Sequence, residues 1–407
     1  MNLKEIEDFY PLSPLQEGML FHSLYAPEVS AYINTFSNGL QGPLNISAFQ
    51  HAWQQVVNRH PALRSIFVRE GLKQPLQFVY RQTTLPWEVQ DWRELSTADQ
   101  QQQLNAFLLA DRARGFDLSK PPLMRFALLR MGDDHWHFVW TFHHILLDGW
   151  CLSLLLREVF GFYDAYTRGE SLQLPRPRPY RDYIRWLQRQ DQEAAETYWR
   201  KRLKGFAAPT TIDCAGQRAD CANSYDEQTR DFSEQTSRAI EALARQQQVT
   251  VNTVVQGAWA LLMSRYSGEQ DVLYGVTVSG RPPELAGVEQ MVGLFINALP
   301  VRVQVDNDAT VGSWLQRLQA EQAEMRQFEY SRLVDVQGWS EIDRGVGLFE
   351  ILFAYENFPT IQAASSNGSK SAAVSLAVTQ GRNLERTNYP LSVVVTPGAC
   401  LSVRDAA

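Results

Sequence analysis

The sequence predicts an α/β protein of two lobes, and three observations support this prediction. The chain has 407 residues, which exceeds the usual size of a single core, so two units of roughly 200 residues are expected. Strand patterns rich in aromatic and β-branched residues occur together with amphipathic helix patterns. The stretch Leu174–Tyr180 has proline at alternate positions, as in a stiff linker. We therefore assign residues 1–177 to an N-terminal lobe and residues 178–407 to a C-terminal lobe.

Composition excludes several classes of protein. Hydrophobic residues make up 44% of the chain and aromatic residues 11%, so it can bury real cores and is not globally disordered. The net charge of −7 argues against nucleic acid as a partner, because phosphate binding needs clustered Lys and Arg. No segment has the run of about 18 apolar residues that a membrane span requires, and the N-terminus lacks the apolar core of a signal peptide.

Cysteine usage indicates a reducing, cytoplasmic compartment without a metal site. The four cysteines form no C-x-x-C pair; they are Cys151, Cys214, Cys221 and Cys400. A regulatory disulfide between Cys214 and Cys221 is the alternative to two ordinary loop thiols, which are the simpler interpretation. His135 and His137 share one face of a strand, but no third metal ligand is suggested nearby.

Local patterns predict the elements of the N-terminal half. Ser13 is suited to cap a helix, Pro14 fits the first helical position, and Gln16 lies where a capping-box partner belongs. The further elements are an amphipathic helix at Ile46–His60 and two strands, Leu123–Met131 and His135–Phe142, joined by a hairpin turn at Gly132-Asp-Asp134.

The C-terminal half contains helix patterns, strand patterns and one stretch without periodicity. The predicted helices are Tyr183–Leu203, Ser233–Gln248, Asn252–Tyr266 and Thr310–Tyr330. The predicted strands are Asp271–Ser279 and Gly347–Asn357, and between them a polar loop leads into a buried strand within Val288–Arg302. Pro359–Ser375, rich in Ser, Ala, Asn and Gly, is the most loop-like segment.

The most informative stretch is Trp140–Trp150, where a strand ends and an apolar helix pattern begins. Loops at such ends, held by a rigid scaffold, tend to carry functional groups. The adjacent His143 and His144 are directed to opposite faces, so at most one of them faces a given cavity. Histidine accepts or shares a proton near neutral pH. Asp148 is suited to cap the following helix, and we expect Cys151 in its apolar core.

The pattern His143-His-x-x-x-Asp148-Gly149 resembles the signature of the condensation domains of nonribosomal peptide synthetases, in the chloramphenicol-acetyltransferase-like superfamily. Further motifs occur in the family's order, at Tyr10–His22, Arg59–Phe67, Gly280–Arg302 and Arg386–Leu391. One departure is Pro61, where the family commonly has an acidic residue. The resemblance runs from about Tyr10 to Leu391, and therefore covers most of the chain.

This resemblance implies two chloramphenicol-acetyltransferase-like lobes in a V-shaped pseudo-dimer with a tunnel between them. It also implies a floor loop at about residues 280–297 and a latch at about residues 357–380. Gln16, Trp150 and Asn297 are candidates for lining the tunnel or its floor, and Arg302 is a second signature position of the floor motif. In the family an arginine at the place of Arg64 pairs with the motif aspartate, here Asp148. We expect that pair to be structural.

The resemblance further implies the reaction. The amine of an acceptor aminoacyl thioester attacks a donor aminoacyl or peptidyl thioester, which forms an amide and releases a thiol. Upstream and downstream carrier proteins present both substrates on phosphopantetheine arms, so no cofactor is bound permanently. Neighbouring synthetase modules are the other expected partners, and secondary metabolites such as antibiotics or siderophores are the expected products.

Within this reaction we expect His144 to face the reacting amine, either as a general base or as a positioning group. Gly149 permits close approach of the backbone, and its N–H is a candidate donor to substrate or to developing oxyanion charge. We expect His143 and Asp148 to support the loop. The sequence Gln-Glu-Gly-Met-Leu at residues 16–20 resembles the corresponding segment of the condensation-domain subtype that takes a D-configured donor and an L-configured acceptor.

The alternatives are less well supported by the same residues. An epimerization domain usually has a spacer between the motif glycine and tryptophan, whereas Gly149 and Trp150 are contiguous. A heterocyclization domain has aspartates in place of the two histidines, which this chain retains. A combined epimerization and condensation domain has an extra histidine motif near its N-terminus, and we find no such motif in this sequence. The floor motif argues against another acyltransferase of the superfamily. A catalytically silent docking module tends to have a degraded histidine motif.

Two further features bear on these alternatives. Neither a Gly-x-Ser-x-Gly motif nor a Walker loop is present, so serine hydrolase and nucleotide-dependent chemistry lack their basic parts. Family members usually continue into another helix after the last motif. We therefore expect the natural protein to extend beyond Ala407.

Overall fold

The structure is a computed structural model that describes residues 3–25, 31–212, 227–343, 345–357, 376–379 and 381–406. These residues form two compact units. The first lies within Met1–Arg189, Arg281–Phe295 and Phe358–Asn388, and the second within Gln190–Gly280, Ile296–Asn357 and Tyr389–Ala407. The predicted boundary at residues 177/178 stays a prediction. Cys214, Cys221 and most of the predicted latch lie outside the described residues.

Helices and strands are mixed along the chain, which confirms the α/β class. The strands are Ile6–Pro11 (β1), Ile33–Gln41 (β2), Ser65–Val68 (β3), Leu76–Tyr80 (β4), Trp87–Asp91 (β5), Met124–Arg130 (β6), His135–His143 (β7), Glu227–Asp231 (β8), Asp271–Val278 (β9), Asn297–Gln304 (β10), Ile351–Tyr355 (β11), Ala377–Val378 (β12), Arg382–Leu384 (β13), Leu391–Thr396 (β14) and Ser402–Ala406 (β15). The α-helices are Pro14–Tyr25 (α1), Ile46–Arg59 (α2), Thr97–Ala113 (α3), Gly149–Thr167 (α4), Arg181–Leu187 (α5), Gln192–Leu203 (α6), Glu234–Gln246 (α7), Val251–Ser267 (α8), Val311–Met325 (α9) and Leu333–Trp339 (α10). Among the described residues, no helix is both long enough and apolar enough to cross a bilayer.

The main sheet of the first unit has the order β12-β2-β7-β6-β5, with β13 also paired to β2. Strands β6 and β7 form the predicted antiparallel hairpin. Because side chains alternate along a strand, β7 presents Phe138 and Trp140 to one face, where they contact Phe49 and Trp53 of α2 at ring-centroid distances of 5.1 and 4.7 Å. This aromatic core fixes the orientation of β7, and so directs His143 to the opposite face.

Pairing around β2 brings distant parts of the sequence to the end of β7. Ile33 of β2 lies opposite His143 of β7, and Leu384 of β13 lies opposite Thr35 of β2. Since β2 is paired on both sides, the residue that follows Leu384 is brought beside the residue that follows His143. This register positions Glu385 close to His144.

Helix α1 begins as the sequence predicts. The backbone N–H of Ser13 donates to Gln16 Oε1 at 2.9 Å, and the N–H of Gln16 points back to Ser13 Oγ at 3.5 Å. This reciprocal pair is a capping box, which satisfies backbone donors at a helix start. A smaller sheet, β1-β4-β3, lies in the same unit.

The second unit contains a sheet of order β10-β9-β11-β14-β15-β8. Its β9–β11 and β11–β14 pairs are parallel and the others antiparallel. Two helix predictions are wrong, and the first of them includes residues of both units. The predicted helix Tyr183–Leu203 is two helices, because Asp191 caps α6 by accepting from the N–H of Ala194 at 2.9 Å. The predicted helix Thr310–Tyr330 leaves α-helical geometry at Met325.

Candidate active site

The site is built on the junction between β7 and α4. Strand β7 ends at His143, a 3₁₀ turn covers His144–Leu146, and Asp148 caps α4 by accepting from the N–H of Cys151 at 3.3 Å. His143, His144 and Asp148 are all buried. Buried polar side chains are stable only when they are hydrogen-bonded, and the partners of these three define what each one does.

His143 is held in its neutral form by the protein. Its Nδ1 accepts from the N–H of Ile145 at 3.2 Å, so its proton lies on Nε2, which contacts Ser23 Oγ of α1 at 3.1 Å. Burial, and then the neighbouring His144, lower the pKa of His143 to about 3. Both nitrogens are therefore engaged within the junction and α1, which supports the predicted role of His143 as a support for the loop.

His144 is fixed by three contacts. Its backbone N–H donates to the carbonyl of Tyr32 at 2.8 Å, its Nδ1 lies 2.9 Å from the carbonyl oxygen of Leu147, and its Nε2 lies 2.9 Å from Glu385 Oε1. Burial lowers the pKa of this imidazole, but the hydrogen bond and the charge of Glu385 outweigh burial and raise it above the ordinary value. Sequence reasoning missed Glu385, although it directly precedes the motif at Arg386–Leu391.

Asp148 forms a buried ion pair, but its partner differs from the predicted one. Arg281 Nη2 lies 3.1 and 3.3 Å from the two carboxylate oxygens of Asp148, and the N–H of Phe295 donates to Oδ2 at 3.1 Å. Arg281 also donates to the carbonyls of Val288 and Met291 at 2.6 and 3.0 Å. Its guanidinium therefore ties Arg281–Phe295 to the start of α4. These residues are the part of the predicted floor loop that lies in the first unit, and they are called the floor segment below.

The predicted pair between Arg64 and Asp148 is wrong. Arg64 is buried, and it binds Glu7 Oε2 at 2.8 Å and the carbonyls of Val57 and Arg81 at 3.2 and 2.8 Å. It leads directly into β3 and so lies within reach of the carbonyls at the end of β4. Arg64 thus stabilises the small sheet, and Arg281, at the start of the predicted floor motif, is the arginine that pairs with Asp148.

The three tunnel or floor candidates all bind other parts of the protein. Gln16 donates to the carbonyl of Ile145 and to Gln77 Oε1, each at 3.1 Å, so it supports the histidine turn. Trp150 is half-buried, and its Nε1 donates to the carbonyl of Glu289 at 3.0 Å. Asn297, in the second unit, donates to the carbonyls of Glu329 and Ser331 at 2.9 and 2.7 Å. Their contact with substrate stays a prediction.

Arg302, the second signature position of the floor motif, lies in the second unit. Its guanidinium binds both carboxylate oxygens of Asp271 across the β9–β10 pair, with Nη2 2.6 Å from Oδ2. It also donates to the carbonyl of Lys204 at 2.7 Å. Arg302 is therefore occupied in tying the sheet to the end of α6.

Glycine is required at position 293 of the floor segment. A Cβ atom built there would lie 2.1 Å from the ring of Tyr180, which real Cβ atoms do not approach. Tyr180 is itself fixed, because its ring packs edge-on against Phe295 at 5.1 Å between centroids. The carbonyl of Gly293 accepts from the N–H of Asp148 at 3.3 Å, so this close approach helps to seat the floor segment on the junction.

We expect Gly293→Ala to lower the free energy of unfolding by about 1–3 kcal/mol, the range for overpacking a filled core. Gly18→Ala is the matched control, because apart from its own helix backbone no atom lies within 4 Å of its added Cβ and alanine is favoured inside a helix. Urea denaturation of both variants measures the difference. Equal stability of Gly293→Ala and the native protein would contradict the packing described here.

The chemistry of the junction excludes one nucleophile. Burial, and then the charge of Asp148, raise the pKa of the Cys151 thiol to about 12, so it is protonated at neutral pH.

Gly149 is the first residue of α4 and is half-buried, and its role as a donor stays a prediction. Within the part of the chain that the structure describes, no three His, Cys, Asp or Glu side chains are grouped to hold a metal ion.

The chain is similar over nearly its whole length to a known family and to proteins within it. The family model described as "Condensation domain" matches residues 6–405. A linear gramicidin synthase from Brevibacillus parabrevis is 44% identical over 405 residues, which is 99% of this chain and 8% of that protein. A surfactin synthase from Bacillus subtilis (strain 168) is 34% identical, with 97% of this chain and 30% of that protein covered. The chain thus spans less than a third of the length of these relatives.

Solved structures show the same fold. The starter condensation domain of rhizomide synthetase RzmA, as a mutant with bound C8-CoA and Leu-SNAC, superposes with a TM-score of 0.81 at 20% identity, over 98% of this chain and 88% of that one. The first condensation domain of the calcium-dependent antibiotic synthetase, in complex with a substrate analogue, gives 0.78 at 17% identity, over 98% and 91%. The fold is that of condensation domains, which as a class are peptide-bond-forming acyltransferases. The chain belongs to the condensation domain family of nonribosomal peptide synthetases.

Proposed function

We propose that this chain joins two carrier-bound substrates by direct acyl transfer at His144. The neutral α-amine of the acceptor attacks the carbonyl carbon of the donor thioester, a C–N bond forms, the C–S bond breaks, and the thiol leaves on the donor's phosphopantetheine arm. The observation that carries this proposal is the position of His144. It is a buried, singly oriented imidazole at a strand-to-helix junction, in a chain of this family.

The reaction needs little from the protein beyond orientation of the two substrates. A thioester is already activated, and an α-amino group has a pKa near 8, so a sizeable fraction is neutral at pH 7 without a strong base. Holding the two reacting groups together supplies roughly 7–11 kcal/mol in favourable cases. His144 then accepts or shares the proton that the amine loses as it attacks. Gly149, at the positive end of α4, offers a backbone N–H to the developing oxyanion.

The burial and protonation of the Cys151 thiol favour direct transfer over a covalent acyl-enzyme. A thiolate is the nucleophilic form of cysteine, and this thiol is fully buried and keeps its proton at neutral pH. The cofactor arrives on the partners, as the phosphopantetheine arms of donor and acceptor carrier proteins. Neighbouring modules of a longer synthetase supply those carriers.

The experiment mixes this chain with a donor carrier and an acceptor carrier, each loaded with an aminoacyl-phosphopantetheine. Mass spectrometry of the acceptor carrier follows the product. We expect the acceptor to gain the mass of the donor acyl group in an amide bond, and omission of the chain is the control. Binding of both carriers without any amide would favour a docking module instead.

We propose that the donor residue is D-configured and the acceptor L-configured. The sequence of residues 16–20, at the start of α1, supports this assignment. In the structure Gln16 donates to the carbonyl of Ile145, close to the two histidines in the chain. The same assay, run with D- and L-aminoacyl donors of one side chain, tests it. Faster transfer from the L-donor would overturn the assignment and leave the proposed reaction intact.

A further inference from the structure

Both ring nitrogens of His144 are occupied. The carbonyl oxygen of Leu147, 2.9 Å from Nδ1, can only accept, so Nδ1 carries a proton. Nε2 faces Glu385 Oε1 at 2.9 Å. A carboxylate also only accepts, and therefore a second proton lies between Nε2 and Oε1. The pair holds one proton more than a neutral histidine beside an ionised carboxylate.

The backbone brings Glu385 to this position. β13 pairs with β2, which in turn pairs with β7, and the chain leaves β13 at Leu384 beside the end of β7. The amide of Asn34, next to Ile33 on β2, donates to Glu385 Oε1 at 3.3 Å. The Glu385 side chain keeps 29% of its surface exposed, against 9% for His144. Glu385 is therefore the more solvent-accessible member of the pair and His144 the more enclosed one.

We propose that Glu385 is a positioning residue that caps Nε2 of His144 until the acceptor amine binds. This inference rests on the proposed function, because it concerns the nitrogen that the acceptor amine must reach. While Glu385 is bound, Nε2 has no lone pair to offer. The amine engages His144 only after the carboxylate swings away and the shared proton passes to solvent. At low pH the Glu385 carboxylate thus occupies Nε2 of His144, and as pH rises Nε2 becomes available to the acceptor amine.

The groups around His144 agree with this direction. His143 lies beside it and is neutral, because burial lowers its pKa to about 3. Asp148 adds a weaker effect in the same direction as Glu385. The phenol of Tyr32 binds Asn388, whose amide contacts His22, and burial lowers the pKa of His22. If Glu385 is removed, burial becomes the largest influence on the pKa of His144. We therefore expect that pKa to fall.

The sign of the pH dependence follows. A raised pKa in the folded protein means that the pair stabilises the fold at pH values below the ordinary histidine pKa, and that this contribution is lost as pH rises through the raised value. Amide formation, which needs Nε2 free, rises over the same interval. In Glu385→Gln the charge is absent, so we expect the acidic limb of the rate profile to lie at lower pH.

The experiment has two readouts. Single-turnover amide formation is measured against pH for the native chain and Glu385→Gln, and the His144 ring nitrogens are titrated by ¹⁵N NMR, assigned with His144→Ala. We expect Glu385→Gln to move both the His144 titration and the acidic limb to lower pH. Glu158→Gln is the matched control, since His60 Nε2 and Glu158 Oε2 form a similar pair at 2.7 Å outside the junction. It should leave both readouts of His144 unchanged.

The outcomes separate this inference from the proposed function. An unmoved His144 titration in folded Glu385→Gln would overturn the cap, whatever the reaction. A moved titration with an unmoved acidic limb would overturn the claim that the cap controls amide formation. If the native chain forms no amide, the proposed function fails, and the titration still decides whether Glu385 caps Nε2.

Discussion

Replacing Arg281 with alanine is expected to lower the free energy of unfolding by about 3–5 kcal/mol, the range for removing one partner of a buried ion pair. The side chains of Arg281 and Asp148 are 7% and 1% exposed. Without the guanidinium, the Asp148 carboxylate stays buried beside the N–H groups of Phe295 and Cys151 but loses its counter-charge. The floor segment also loses the donor that binds its carbonyls at Val288 and Met291.

Urea denaturation measures this loss, and two further variants define its origin. Combining Arg281→Met with Asp148→Asn removes both charges, so the double variant should recover part of the stability that Arg281→Ala loses. Arg93→Ala breaks a pair with Asp91 whose members are 40% and 51% exposed, and a much smaller loss is expected for such a pair. Equal losses in Arg281→Ala and Arg93→Ala would contradict a buried anchor at Asp148.

Replacing His144 with alanine is expected to slow amide formation by about 10²–10⁴-fold, the usual contribution of a positioned acid or base. The substitution removes the imidazole and leaves Tyr32, Leu147 and the rest of the junction in place. Thioester activation and substrate orientation are retained, which is why a residual rate should persist. Single-turnover rates with saturating loaded carriers measure the effect on the chemical step.

His137→Ala is the matched control for this variant. His137 lies on the same strand β7, binds Ser37 Oγ at 2.7 Å, and has a pKa lowered to about 4, chiefly by burial. It is outside the junction, so its loss should affect stability more than rate. Circular dichroism and melting curves verify folding of both variants. A folded His144→Ala protein that keeps the native rate would remove this histidine from the chemistry.

The sequence predicted the parts of the site that depend on local pattern. The alternating aromatic residues of β7 predicted a strand, and its end placed His143 and His144 at a loop. The capping functions of Asp148 and Ser13 involve residues three positions away, so they could be derived without knowledge of the fold. The motif order then identified the family, which the comparisons confirm.

The sequence did not predict the partners that come from far along the chain. Arg281 and Asp148 are 133 residues apart, and Glu385 reaches His144 only through the pairing of β13 with β2. No local periodicity encodes such contacts. The pairing of Arg64 with Asp148 is wrong because the Arg64 guanidinium binds Glu7 and carbonyls near the end of β4 instead. Strand β8 was missed because all five of its residues are exposed and show no apolar alternation.

The most direct test of the central claim is a quenched single turnover read by intact-protein mass spectrometry. The chain is mixed with loaded donor and acceptor carriers, and the masses of all three proteins are followed in time. Direct transfer predicts that the acceptor carrier gains the donor acyl group while the mass of this chain stays constant. Appearance of the acyl group on this chain before the acceptor, or loss of it from the donor without amide on the acceptor, would contradict direct transfer at His144.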